Sequence, residues 1–254
     1  MSGLTRYKLT IEYEGTGLFG WQIQDNGPTV QGILQDAIGK FCRAYDPVEN
    51  RTHAAGRTDA GVHALAMIVH VDLPRDDDPY KVMSGINFHL NRGPVVVLKA
   101  ERVSHDFHAR FSALKRYYRY HMINRPAPLT FQRHRAWQVR APLDVEAMRE
   151  AATHLVGHHD FTTFRSVECQ SQSPVKTLDN LDIIEAGEHI YFDCSARSFL
   201  HHQVRSMVGC LYYVGKGKWT PDDMKGALEA ADRAALGFNA PPDGLYFVKV
   251  DYPD

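Results

Sequence analysis

The chain has 254 residues, 44% hydrophobic and 23% charged, ordinary proportions for a globular protein of one large domain or two modest ones. Four widely spaced cysteines, Cys42, Cys169, Cys194 and Cys210, form no CxxC pair, which argues against a disulfide frame and for reduced thiols. The apolar runs are too short to span a bilayer and the first residues lack a signal peptide's apolar core, so the expected setting is the cytoplasm, with no membrane partner.

Tyr7 to Tyr13 alternates and is β-prone, which predicts a first strand. Pro28-Thr29 opens a helix capped by Thr29, with Val30, Ile33, Leu34, Ala37, Ile38 and Phe41 on one face. Val48 to Ala54 and Leu65 to Val71 read as strands, Pro79 to Leu90 as a helix and Pro94 to Glu101 as a strand. The order is β-α-β-β-α-β. In the second half, Arg116 to Ile123 reads as a strand and Asp144 to Val156 as a helix capped by Asp144. A hairpin pairs Val175 to Glu185 with His189 to Ala196 around Ala186-Gly187-Glu188. Helices at Ser198 to Val214 and Pro221 to Ala231 and a strand at Leu245 to Tyr252 complete the order. The expectation is an α+β chain of two ferredoxin-like (βαββαβ) lobes, with antiparallel sheet and a catalytic cleft between them. Lobe 1–105 carries an aspartate loop. Lobe 106–254 carries a basic, aromatic strand and a helix containing Arg205.

The formal net charge of −1 hides an uneven distribution. From Phe107 to Leu143 there is no acid, but eight cations: Arg110, Lys115, Arg116, Arg119, Arg125, Arg133, Arg135 and Arg140. Acids are absent again between Cys194 and Pro221. Such segregation suits a surface facing a polyanion, or else a plain solvated face. Tyr117, Tyr118, Tyr120, Phe131 and Trp137 inside the run favour a nucleic acid, since bases stack on such rings. Arg110, Lys115, Arg116 and Arg119 are the expected RNA contacts.

Within Ala55-Gly56-Arg57-Thr58-Asp59-Ala60-Gly61-Val62-His63 an acid stands between two glycines, flanked by strand-like segments. Glycines permit a bend or a close approach, and groups held on rigid loops do chemistry. The plain alternative is a turn in which Asp59 caps its own backbone. Arg205 lies in an apolar helix, where a guanidinium needs an anion or carboxylate; Asp59 is one candidate, and snorkelling to the surface is the alternative. The fourteen histidines include no HExxH or zinc spacing, and phosphate loops and a GxSxG elbow are absent.

The motif Gly56-Arg57-Thr58-Asp59-Ala60-Gly61-Val62-His63 resembles the catalytic motif of the TruA family, tRNA pseudouridine synthases that act on the anticodon stem-loop. Collinear landmarks agree: Gly20-Trp21-Gln22, residues 106–113, Tyr118-Arg119-Tyr120, residues 160–165, residues 199–209 and Gly244-Leu245-Tyr246. Gln203 stands where relatives carry an apolar residue. The resemblance covers essentially the whole chain. It implies an isomerase that detaches uracil from ribose C1′, rotates it and rejoins it through C5, at tRNA positions 38–40. Asp59 would be the essential aspartate, Tyr118 the residue against the uracil, Arg205 the partner of Asp59, Arg57 a holder of the flipped nucleotide and Leu245 an apolar neighbour of the base. The resemblance implies tRNA as partner, a homodimer, and no cofactor, nucleotide or metal. Two rivals are a non-catalytic RNA-binding protein using the same surface, and a metal-dependent RNA hydrolase using the histidines and Asp106.

Overall fold

In the computed structural model, which describes residues 3–43, 46 and 51–253, alternation sets the first strand. β1 (Thr5–Tyr13) buries Tyr7, Leu9, Ile11 and Tyr13 on one face, each contributing about 1.5–3 kcal/mol through burial. α1 (Val30–Cys42) begins where Thr29, in extended backbone, accepts the Gly32 N–H. Besides its apolar stripe it buries Gln31 and Gln35. Their amides bond to each other at 3.1 Å, and Gln35 accepts the Thr52 hydroxyl at 3.0 Å and its N–H at 3.4 Å. The Thr52 N–H is therefore not available for strand pairing. β2 is only His53–Ala54, shorter than the predicted strand, whose residues 48–50 lie outside the described residues.

β3 (His63–Leu73) and β4 (Val95–Arg102) flank β1 antiparallel, and β2 pairs with β3. α2 (Pro79–Leu90) matches its predicted bounds. Asp78 caps the Tyr80 N–H, Pro79 occupies the first turn, and Asn91 closes the helix in a left-handed conformation.

In the second half, β5 (Lys115–Asn124) pairs antiparallel with β9 (His189–Ala196), which pairs with β8 (Val175–Ala186), which pairs with β7 (Gly157–Asp160). A short β6 (Trp137–Val139) runs parallel to β5. α3 (Val145–Thr153) is capped by Asp144 as expected but ends before Val156, and Gly157, at φ +120°, turns the chain into β7. α4 (Gln203–Gly215) starts later than the predicted Ser198. His202 is left-handed at φ 66°, and the Gln203 side chain takes the Leu200 N–H at 2.9 Å. α5 (Pro221–Glu229) stops short of Ala231, and β10 (Leu245–Asp251) is the last strand.

The fold is mixed α+β with mostly antiparallel sheet. It divides into two compact units, Met1–Leu114 with Phe247–Asp254, and Lys115–Tyr246. The division differs from the expected 105/106 boundary because residues 105–114 are tied to the first unit. Arg6 pairs with Asp72 at 2.7 Å and donates to the carbonyls of His105 and Phe107. The Tyr252 hydroxyl donates to the Ala109 carbonyl at 2.6 Å, and the Leu114 N–H to Asp251 at 2.8 Å. Cys42, Cys194 and Cys210 are buried free thiols and Cys169 is a half-buried one; burial pushes Cys42 up to about 11. No helix among the described residues is long and apolar enough to cross a membrane.

Candidate active site

The first unit holds Asp59 on a loop between β2 and β3 that is fixed mainly through its backbone. The Trp21 N–H donates to the Thr58 carbonyl at 3.0 Å, the Gly61 N–H to Leu18 at 3.2 Å and the Val62 N–H to the Asp59 carbonyl at 3.2 Å. The Tyr13 and Thr58 hydroxyls meet at 2.8 Å in the core, and burial raises the Tyr13 pKa strongly. Two glycines make the approach possible. A Cβ on Gly15 would strike the Val62 carbonyl, and one on Gly20 would lie 2.6 Å from the Thr58 carbonyl. Gly20 and Gly61 also occupy positive φ, +80° and +81°. Asp59 itself is half-buried rather than at a fully exposed tip. Nothing in the local sequence around Gly15 announces its contact with Val62.

Arg57, two residues from Asp59, is exposed. Partial burial lowers its pKa, and the neighbouring cations Arg110 and Arg51 lower it further. The ring of His70 stacks on His53 at 4.8 Å and meets His108 at 4.5 Å. Burial depresses all three imidazoles, His70 to about 3, so they are neutral at pH 7.

Tyr118, Arg205 and Leu245 all lie in the second unit. Arg205, half-buried on α4, donates its Nε–H to the Ala240 carbonyl at 2.9 Å, and the Ala240 N–H returns to the Arg205 carbonyl at 3.0 Å. Tyr120 donates to the next carbonyl, Pro241, at 2.8 Å. A Cβ on Gly244 would lie 2.6 Å from the His121 carbonyl and 2.7 Å from the Tyr120 ring. The segment 240–244 is therefore pressed onto β5, which delivers the buried Leu245 beside the strand bearing Tyr118. Tyr118 packs edge-on against Phe199 at 5.0 Å, just before α4. Gln203 is buried and uses its carbonyl oxygen to hold the N–H of Leu200, which precedes this helix.

The four expected RNA contacts fall into different settings. Arg110 is exposed in the first unit. Lys115 pairs with Asp179 at 2.9 Å, and Arg116, nearly buried, donates to the Arg197 carbonyl at 2.6 Å. Arg119 makes a bidentate pair with Asp193, 2.6 Å on both arms, and packs over Tyr191 at 5.0 Å. Those hydrogen bonds raise its pKa.

The first unit thus holds a half-buried carboxylate on a clamped loop, and the second carries the tyrosine, the arginine and the leucine. The chain belongs to the tRNA pseudouridine synthase family, whose sequence profile matches residues 9–112 and 151–253, and it is an isomerase of that class. It is 55% identical over 249 residues to tRNA pseudouridine synthase A of Zymomonas mobilis, covering 98% of this chain and all of the relative. The enzyme of the same name from Paramagnetospirillum magneticum is also 55% identical, over 98% of this chain and 96% of its own.

Proposed function

We propose that this chain converts uridine to pseudouridine in tRNA, at positions 38–40 of the anticodon stem-loop, with Asp59 as the catalytic carboxylate. The observation that carries the reading is Asp59 on a loop pinned by Tyr13, Gly15 and Gly20, in a chain of this family. The reaction breaks the C1′–N1 bond and forms a C1′–C5 bond, and a proton leaves C5 while N1 gains one. Atoms and electrons balance within the nucleoside, so the chemistry calls for no cofactor. The uridine must leave its stack, at about a few kcal/mol, before C1′ is reachable. Rigid placement of the carboxylate then removes the entropy of finding the attack geometry.

In this proposal Arg205 keeps Asp59 ionised, Tyr118 lies against the uracil, Leu245 packs beside it and Arg57 holds the flipped nucleotide. Both lobes are ferredoxin-like, a reading supported in the first unit by β4-β1-β3 with β2 on β3. The protein acts as a cytoplasmic homodimer. Asp59→Ala should abolish pseudouridine formation and leave tRNA binding intact; an active variant would refute the assignment. Arg205→Lys should lose far more activity than Arg149→Lys, because a point charge does not replace a guanidinium fork.

A further inference from the structure

We propose that the turn at residues 108–112 is a docking platform for an unpaired nucleobase of the RNA substrate, with Phe111 as the stacking ring. The inference rests on the tRNA reading and adds an RNA contact besides the reacting carboxylate.

The turn is fixed by side chains on every side. The His108 N–H donates to Ser112 Oγ at 3.0 Å, and the Ser112 N–H returns to the His108 carbonyl at 2.9 Å. His108 Nδ1 accepts the N–H groups of Arg110 and Phe111, at 3.1 and 3.3 Å. The Ala109 N–H goes to His70 Nδ1 at 3.1 Å and its carbonyl to the Tyr252 hydroxyl at 2.6 Å. An imidazole nitrogen accepts only when it carries no proton, so both rings must be neutral for the turn to hold this shape.

What this scaffold displays is one bare ring among cations. Phe111 is 76% exposed. The His108 ring lies 4.4 Å from it at a 33° tilt, and the Arg110 guanidinium is 5.7 Å from its centroid. Arg57 and Arg51 belong to the same neighbourhood, since both Arg51 and Arg110 act on Arg57. Cations beside an exposed ring suit a ligand that is both aromatic and anionic, which describes a nucleotide. A protein partner would instead need a contiguous apolar patch. Because the turn is already rigid, stacking on it loses little conformational entropy. Every base has a π face, so Phe111 contributes affinity without choosing the base.

The test compares wild type, Phe111→Ala and Phe111→Trp on one unmodified tRNA transcript, by equilibrium binding across a salt series and by single-turnover pseudouridine formation. Phe111→Ala should raise Kd about tenfold. Its salt slope and its rate at saturating tRNA should stay at wild-type values, which a distorted fold would not allow. Phe111→Trp should bind like wild type, and tRNA should quench its fluorescence beyond the quench seen in wild type. If Phe111→Ala binds within about twofold of wild type, or if the new tryptophan is not quenched, the platform is refuted while the enzyme reading stands. A Phe111→Ala variant that changes oligomeric state would assign the ring to a protein interface and overturn the proposal. A wild-type protein that makes no pseudouridine would sink the parent reading and the platform with it.

Discussion

Arg110 and Arg119 stand in the same acid-free stretch of sequence, yet the two units hold them in different settings. In the first unit Arg110 sits exposed on a clamped turn with Arg57 close by. In the second, Arg119 is locked to Asp193 through both arms of its guanidinium. The difference teaches that a local run of positive charge does not show which of its cations meet an acid brought from elsewhere in the chain. The partner of Arg119 lies 74 residues downstream and that of Arg125, Glu188, 63 residues downstream. Strand pairing of β5 with β9, with Arg119 opposite Asp193, supplies the acid that the local sequence lacks.

The largest expected effect tests the clamp that lets the first unit display its groups. Gly15→Ala drives a methyl into the Val62 carbonyl and should cost about 3 kcal/mol or more, with activity falling along with the melting temperature. Unchanged stability would mean the Asp59 loop is not held by that approach.

Next comes pH. His70 and His121 have folded pKa values of about 3 and about 4, against the ordinary 6.5, because burial disfavours their charged forms. The unfolded chain binds these protons more readily, so the stabilisation is complete above pH 6.5 and declines as pH falls toward the folded values. Each unit should lose about 2 kcal/mol by pH 5, at about 1.4 kcal/mol per pH unit. Urea midpoints at pH 7 and pH 5 check this, and a flat profile would contradict neutral imidazole clamps.

A smaller effect separates the two arginines directly. Arg57→Ala with Arg110→Ala should lower the log–log salt slope of tRNA binding by about 0.7 for each single-stranded phosphate that the protein ceases to neutralise. Arg119→Ala should leave the slope alone. It should instead cost about 1 kcal/mol of stability, since the pair is partly exposed and its removal orphans Asp193. The reverse pattern would show that the second unit, not the first, carries the RNA contacts.

Much of the fold was legible. Pro79 marked the start of α2, and Ala186-Gly187-Glu188 marked the hairpin, because helix starts and turns are written in adjacent residues. The strands β6 and β7 were not legible, being too short to show alternation. The start of α4 was hidden because His202 adopts a left-handed conformation that its residue type does not announce. At the site, an acid between glycines drew attention to Asp59. Its support, the Tyr13–Thr58 bond and the Gly15 and Gly20 approaches, depends on residues far apart in sequence. Phe111 escaped notice because an exposed ring looks like any other phenylalanine until its accessibility is known.

The most direct test incubates wild type and Asp59→Ala with one unmodified tRNA, measures binding, and maps pseudouridine base by base. The account predicts equal affinity, with pseudouridine in the anticodon stem-loop made only by the wild type. Pseudouridine made by Asp59→Ala, or none made by the wild type, would contradict it.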